Sequence, residues 1–521
     1  MTWRHYLLLA LLGLVIVVLV GAFQASPGYM DADYYYAGGM QLVAGNGFNE
    51  PYIWNYLDNP IGLPHPSHAY WMPLASLLVA AGALSLGPGS WSAARAGFIL
   101  VAVMIPPLTA ALAWSFTSRR DLSLTSGLLA LFPAFYLAYL PTTDTFGLYM
   151  LLGGLFFLVL GRRASYLNPL LLGLLAGLMH LTRTDGLLWL LIALFSVMYI
   201  LPRTTLQRKL NLFSSLLLAL TGYLLVMTPW FLRNYSLLGT PLAPGGSRML
   251  WLTSYDQLFS YPASQITFSN WWSSGLQAII RVRIWALGLN LSNLLSVQME
   301  VFLLPLVGLG LWHLRKDRRV QVAVIAWLLT LGAMTVVFPF AGARGGFFHS
   351  GAAVQTMWWV LAPLGLERVI AWGNRKRRWD VIRAGTIFRP ALIIMAALMT
   401  IIIVYGRVIG GGGGRVWDQE QTAYGQIKEF LTSQGMVETD VVMVANPPGF
   451  YIASGNPAVA VPDGDLNTLI AVAQKYKARY IILEKTSTPG SLMTVYLHPD
   501  SQPGLNYLGA LEGAHIYGFL P

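Results

Sequence analysis

Apolar stretches of membrane-spanning length follow one another along most of the chain, and short basic clusters separate them. Only 11% of the 521 residues are charged, whereas a soluble domain carries about 25%. This pattern predicts an α-helical polytopic membrane protein. We expect about eleven transmembrane helices, at roughly 6–23, 93–116, 122–140, 145–160, 168–182, 186–201, 211–230, 297–313, 320–338, 350–370 and 390–408.

The basic residues give the orientation of these helices, because cytoplasmic loops are enriched in Lys and Arg. With a cytoplasmic N-terminus, nineteen basic and four acidic residues face the cytoplasm; seven basic and eight acidic residues up to position 406 face outward. The net charge of +11 therefore reflects topology, and no nucleic acid partner is expected. The first stretch is interpreted as a retained helix rather than a cleaved signal peptide, which would place the protein in a prokaryotic plasma membrane.

Two outer loops are long, at 24–92 and 234–296, and are rich in aromatic residues, Pro and Gly. That composition indicates an ordered interfacial layer. The apolar run from Tyr70 to Leu86 would invert every later basic cluster if it crossed the bilayer. It is therefore predicted to be an interfacial or re-entrant helix within the first outer loop.

The composition becomes that of a soluble protein near the C-terminus. We predict a transmembrane domain at 1–408, a Gly-rich linker at 409–415 and a small α/β extracytoplasmic domain at 416–521. The helix and strand patterns of this last region suggest that it folds as a separate unit.

Ionisable residues recur where the predicted helices reach the outer surface. A charge next to hydrocarbon is energetically costly, so each of these residues is a candidate for a function. The candidates are Asp31, Asp33, Asp144, Arg183, Asp185, Arg233, Arg344 and His349. Several charges on one face of the membrane are expected to enclose a single polar pocket that opens outward.

Most of these candidates also have a plain structural interpretation. The aspartates are suitable as helix caps, Asp185 as an ion-pair partner of Arg183, and Arg233 as a headgroup anchor. The chain has no cysteine. His65 and His68 resemble a metal-binding pair only loosely, so no metal site is predicted from the sequence. Whether the protein requires a divalent cation is left open.

Carboxylates, arginines and a histidine at the outer interface suit group transfer from a lipid phosphate. A carboxylate removes the proton of an acceptor hydroxyl or amine. Arginine and histidine stabilise the departing phosphate as its negative charge grows. The lipid tail would lie in a groove between helices.

At these residues the sequence resembles the integral-membrane GT-C glycosyltransferases, especially the branch of protein mannosyltransferases, aminoarabinose lipid A transferases and Rgt-type bacterial enzymes. The stretch "DADYYYAGGMQLVAGNGF" matches the family's Asp-Glu-Ala-Tyr-Tyr and Gly-x-Gly-Phe pattern, with Ala32 at the usual glutamate. The stretches "HPSHAYWMPLASLL", "LTRTDGLL" and "TPWFLRNYSLLGTP" resemble further family motifs. The resemblance covers roughly residues 1–370.

This resemblance implies a polyprenyl-phosphate sugar donor, transfer with inversion at the anomeric carbon, and Asp31 as the catalytic base. Asp33 then replaces the missing glutamate or orients the acceptor, and Asp144 is a second acidic site residue. Arg183, Asp185, Arg233, Arg344 and His349 are expected to bind the lipid phosphate and sugar. The acceptor is a glycan, a glycolipid or a protein.

Two other functions fit a polytopic protein of this kind. A transporter or flippase of lipid-linked sugars would favour broken helices, a midplane site and repeat symmetry. The alternative is a non-catalytic scaffold whose outer domain binds a cell-wall partner. The charges at outer helix ends and the absence of a detected sequence repeat favour the transferase.

Overall fold

The computed structural model describes residues 1–162, 165–200, 206–410 and 415–519. Most of the predicted glycine linker lies outside these residues. Helices predominate, and a small mixed sheet is formed near the C-terminus. The predicted class, a helical membrane protein with a C-terminal α/β region, is confirmed. The domain boundaries themselves stay a prediction.

Among the described residues, six helical segments are long and apolar enough to cross a membrane. Their α-helical parts are α1 (Trp3–Gly21), α5 (Ala96–Thr117), α10 (Leu206–Leu238), α13 (Leu276–Asn293), α15 (Arg318–Gly332) and α19 (Val381–Val404). Five shorter apolar helices are α3 (Leu74–Leu86), α7 (Phe146–Leu160), α8 (Leu167–Thr182), α9 (Leu187–Ile200) and α14 (Leu304–His313).

The remaining helices are α2 (Met30–Val43), α4 (Trp91–Ala94), α6 (Arg120–Leu129), α11 (Pro244–Arg248), α12 (Phe268–Ser273), α16 (Pro339–Ala341), α17 (Phe347–Gly351), α18 (Gln355–Arg377), α20 (Gln419–Ser433), α21 (Pro447–Ser454), α22 (Leu466–Tyr476) and α23 (Met493–Leu497). Among them, α18 is 23 residues long and largely buried, and the others are short or lie in the outer loops and the C-terminal region.

The second outer loop contains a long helix that the sequence analysis left in the loop. Helix α13 and its wider final turn reach Gln298, and this segment is apolar enough to span a bilayer. Asn290 on α13 contacts Thr335, and Gln298 accepts a hydrogen bond from Trp327. The earlier residue, Asn290, contacts the later position, Thr335, and the later residue, Gln298, contacts the earlier position, Trp327. Helix α13 therefore runs antiparallel to the α15 segment. Helix α13 is therefore a candidate span that the sequence analysis did not predict, and the orientation of the chain in the membrane stays a prediction.

The first outer loop is ordered by close packing of α2 against α3, the helix predicted to be interfacial. A Cβ atom on Gly39 would lie 2.4 Å from a methyl group of Val79, so only glycine permits this approach. Both aspartates of α2, Asp31 and Asp33, stand in its first turn. This packing fixes the helix that carries them against the membrane core.

The C-terminal sheet has six strands in the order β2-β5-β4-β6-β8-β7. The strands are β2 (Tyr52–Ile53), β4 (Val441–Val444), β5 (Ala458–Ala460), β6 (Ala478–Glu484), β7 (Leu505–Leu511) and β8 (Ala514–Phe519); β1 (Asn49–Glu50) and β3 (His65–Pro66) form a separate pair. Strands β2, β5, β4 and β6 are parallel, and β7 and β8 form an antiparallel hairpin.

The sheet takes its edge strand, β2, from the first outer loop, so the C-terminal region is not built from residues 416–521 alone. Trp417 packs directly on Gly28, whose φ of +96° and missing Cβ leave room for the indole. Asp418 accepts hydrogen bonds from the backbone N–H groups of Ala25 and Ser26. These contacts tie the C-terminal region to the first outer loop.

Candidate active site

A cavity of about 490 Å³ lies at helix ends that are predicted to face outward. Five of the predicted site residues line it together: Asp31, Arg183, Asp185, Arg344 and His349. Its walls are otherwise mostly apolar, and the rings of Trp54 and Trp71 stack 4.1 Å apart on one side. A large apolar pocket with a few convergent charges is the usual form of a ligand site.

Asp31, Asp144 and His349 meet at one edge of this cavity. The Nε2 atom of His349 lies 3.0 Å from Asp144 Oδ2 and 3.5 Å from Asp31 Oδ2. The other ring nitrogen, Nδ1, lies 3.0 Å from the carbonyl oxygen of Gly345, and the ring stacks on Phe146 at 3.9 Å. The imidazole is therefore held on both sides in one orientation.

Burial and neighbouring charges shift the pKa values of these three groups in different directions. Burial raises the pKa of Asp31 to about 6, although His349 opposes the shift. Arg183 also lowers this pKa, but burial outweighs both cations. For Asp144, burial is outweighed by His349, which holds the pKa of that carboxyl below its usual range. Burial also opposes a charged imidazole, but Asp144 raises the pKa of His349.

Arg183 and Asp185 form an ion pair at the cavity wall, in the turn between α8 and α9. Arg183 Nε lies 2.9 Å from Asp185 Oδ1. Ser350 donates a hydrogen bond of 2.6 Å to the other oxygen, Asp185 Oδ2. The structural interpretation of Asp185 as a partner of Arg183 agrees with this contact, and the pair also places the guanidinium at the cavity.

Arg344 stands in a short irregular segment between α16 and α17. Its guanidinium lies 4.7 Å from the centre of the Tyr255 ring, and it has no hydrogen-bonded or ion-paired partner among the described residues. Gly345, with a φ of +121°, turns the chain beside it. An exposed arginine whose donors are unused at a cavity is suited to bind an anion.

Asp33 does not reach this cavity. It is 3% exposed, and its Oδ2 accepts a hydrogen bond of 2.8 Å from Asn446 Nδ2 in the C-terminal region. Positions two apart on a helix are separated by about 200°, so Asp31 and Asp33 face different partners. Asn446 caps α21 through its Oδ1 atom, which accepts from the Gly449 N–H.

Arg233 also lies outside the cavity lining. Its guanidinium stacks 4.7 Å from the Trp230 ring and donates to the carbonyl oxygen of Phe48 at 3.1 Å. The predicted role of Arg233 in binding phosphate stays a prediction, but its contacts are those of a structural anchor.

The cap interpretations of the acidic residues are only partly realised. Helix α2 has Tyr29 at its N-cap position and no side-chain cap. Asp144 precedes α7 and accepts from the hydroxyl of Thr145 at 3.1 Å. Tyr29 also donates to Asp144. Sequence reasoning missed Tyr29 and Ser350, because a lone hydroxyl in an apolar stretch carries no distinguishing pattern.

Asp31, Asp144 and His349 each offer one ligand atom within 4.8 Å of the others. Two carboxylates and one imidazole form a donor set suitable for a divalent transition metal with open positions. No such set was predicted from the sequence, because the three residues are far apart in the chain. His65 instead contacts Asp58, and His68 contacts Ser67 and Ser76, so neither joins this group.

No family model matches the sequence, and no curated protein matches it significantly. Solved structures match over nearly the full chain. One is the archaeal oligosaccharyltransferase AglB from Archaeoglobus fulgidus in complex with an inhibitory peptide and a dolichol-phosphate, with a TM-score of 0.58, 12% identity, and coverage of 100% of this chain and 75% of that one. Another is ArnT from Cupriavidus metallidurans bound to undecaprenyl phosphate, with a TM-score of 0.58, 12% identity, and coverage of 98% and 97%. The chain therefore has the fold of the GT-C glycosyltransferases.

Proposed function

We propose that this chain is a membrane glycosyltransferase that moves a sugar from a polyprenyl-phosphate donor to an extracytoplasmic acceptor. The observation that carries the proposal is the convergence of Asp31, Arg183, Arg344 and His349 on one largely apolar cavity. The carboxylate suits proton removal, the cations suit a phosphate, and the apolar walls suit a lipid chain.

In the proposed reaction, the acceptor hydroxyl attacks the anomeric carbon of the donor sugar from the face opposite the phosphate. The new bond joins the acceptor oxygen to that carbon, and the bond from the carbon to the phosphate oxygen breaks. Asp31 takes the acceptor proton, and the phosphate keeps the electron pair of the broken bond. The single displacement inverts the anomeric centre.

The positive groups stabilise the phosphate as it leaves. Arg344 offers unused donors, and Arg183 adds a charge held in place by Asp185. Hydrogen bonds from preorganised cations to a developing anion lower the barrier, because they strengthen in the transition state. Asp144 orients His349 in this scheme, since their side chains are in direct contact.

Asp31, Asp144 and His349 are the residues that would hold a divalent cation. Such a cation would supply a positive charge beside the phosphate.

The two solved relatives support the choice of donor, because both were determined with a polyprenyl-type phosphate. An outer-face site in a prokaryotic plasma membrane, with a cytoplasmic N-terminus, fits the distribution of basic residues. The transporter and scaffold alternatives lack a feature that accounts for a carboxylate and cations at one cavity.

The test is transfer of a radiolabelled sugar from a polyprenyl-phosphate donor by the purified chain in liposomes, with the acceptor outside. Label that appears on the acceptor supports the proposal. Label that crosses the bilayer while still attached to the lipid would instead indicate a flippase, and binding without either outcome a scaffold.

A further inference from the structure

A second cavity of about 300 Å³ lies between the membrane domain and the C-terminal sheet. It shares Met30, Tyr255 and Arg344 with the first cavity, so the two sites are neighbours. Its lining is much more polar than that of the first cavity. A molecule in the second cavity would therefore reach the reacting groups from the extracytoplasmic side.

The C-terminal sheet contributes the ends of its adjacent parallel strands to this cavity. Asn446 follows β4, Val461 follows β5, and Thr486 follows β6, and all three line it. In open sheets with parallel strands, ligands bind outside the carboxyl ends of the strands. The position of the cavity in the fold is thus that of a ligand site.

The lining offers both acceptors and donors of hydrogen bonds. Glu420 and Asp256 supply carboxylates, Thr486 and Ser487 supply hydroxyl groups, and Phe259 supplies an apolar ring face. Sugar hydroxyls both donate and accept, so they pair with every one of these polar groups. An anionic ligand is disfavoured, since the two carboxylates outnumber the single shared arginine.

Asn446 fixes the carboxylate of Glu420 in the cavity wall. Its Nδ2 atom donates to Glu420 Oε1 at 2.9 Å and to Asp33 Oδ2 at 2.8 Å. Both N–H bonds of the amide are therefore used, one toward each carboxylate. Because Asp33 is on the same helix turn as Asp31, this bridge sets the position of the second cavity relative to the proposed base.

We infer that the second cavity binds the acceptor, and that the acceptor is a neutral, hydroxyl-rich glycan rather than a peptide or an anionic lipid headgroup. This inference rests on the proposed function. The glycan residue next to the reacting hydroxyl lies against Glu420, Thr486 and Ser487, and its hydroxyl points past Arg344 toward Asp31.

The experiment measures binding and turnover separately, with the full chain in lipid nanodiscs. The binding probes are neutral trisaccharides of mannose, galactose and arabinose, and a peptide rich in Ser and Thr, each followed by saturation-transfer NMR. Ser487→Trp fills the cavity from an exposed turn. Gln434→Trp places the same side chain at an exposed site on the same region and is the control.

At least one trisaccharide is expected to bind the wild type and Gln434→Trp alike, and Ser487→Trp weakens it by about tenfold or more. Equal binding to both variants, or binding of the peptide alone, would overturn the inference. Release of sugar from a polyprenyl-phosphate donor is measured in parallel. If the wild type releases no sugar from the donor, the proposed function is contradicted. If Ser487→Trp releases sugar and also binds the trisaccharide as the wild type does, only the acceptor site is contradicted.

Discussion

The Nε2 atom of His349 lies 3.0 Å from Oδ2 of Asp144, although 205 positions of sequence separate the two residues. The contact joins the loop before α7 to the segment before α18. Asp31, from a third outer segment, lies 3.5 Å from the same nitrogen. One imidazole therefore connects the three outer segments that build the cavity edge.

This arrangement predicts a cation site that can be measured without turnover. We expect the chain to bind Mn²⁺, and His349→Gln to weaken that binding by at least about tenfold, because one of three ligands is removed. The measurement is Mn²⁺ titration by electron paramagnetic resonance. His65→Gln is the matched control, since His65 pairs with Asp58 instead. Equal affinity in His349→Gln and the wild type would contradict the site.

Arg344→Ala is expected to raise the donor KM by about 10- to 100-fold, the usual worth of hydrogen bonds to a charged group. The acceptor KM should change much less. Arg479→Ala is the control, because Arg479 pairs with Asp440 on the C-terminal sheet. Unchanged donor kinetics in Arg344→Ala, measured by initial rates over a donor series, would remove this arginine from the phosphate site.

Arg233→Ala separates a structural arginine from a binding one. Its stacking on Trp230 and its bond to the Phe48 carbonyl predict a lower Tm, with a loss on the order of 0.5–2 kcal/mol in stability. Donor KM at matched folded concentration should stay near that of the wild type. A rise in KM as large as that of Arg344→Ala would place Arg233 at the phosphate after all.

The C-terminal region is expected to become less stable as pH rises from about 4.5 to 7. Burial raises the pKa of Glu484 from 4.5 to about 7; the hydrogen bond from Tyr424 opposes the shift and Glu420 adds to it. The unfolded chain therefore loses this proton first, so stability is greatest below pH 4.5 and levels off above about 7.

Hydrogen exchange of the β6 amides, corrected for intrinsic rates, measures this slope. Glu484→Gln should flatten it, whereas Glu512→Gln, on the exposed hairpin turn, should not. A slope that persists in Glu484→Gln would assign the pH dependence to another group.

The sequence was sufficient to predict that most of the charged residues at the cavity lie on one side of the membrane. The distribution of basic residues places Asp31, Asp144, Arg183 and His349 there. Their roles stay predictions. The sequence could not tell which of Asp31 and Asp33 faces the cavity, because the partner of each side chain depends on how α2 packs. The bridge from Asp33 to Asn446 spans 413 positions and has no local pattern.

The C-terminal strands β4, β5 and β6 overlap the stretches at 440–447, 458–462 and 479–485, whose apolar runs predict strands. The edge strand β2 was not predicted, because a two-residue strand has no periodicity and pairs with a distant segment. The hairpin β7–β8 was also missed. Long-range pairing of short strands is decided by packing, which a single sequence does not display.

The central claim is that Asp31 is the base for sugar transfer, and Asp31→Asn tests it most directly. The substitution keeps the size of the side chain and removes the proton acceptor, so folding and donor binding should persist. Initial-rate transfer of labelled sugar at matched folded concentration is expected to fall about 10²–10⁴-fold. Asp33→Asn, the comparison variant on the same helix, should cost less, because Asp33 contacts Asn446 rather than the cavity. Transfer near the wild-type rate by Asp31→Asn would contradict the account, and an inactive Asp33→Asn beside an active Asp31→Asn would make Asp33 the base.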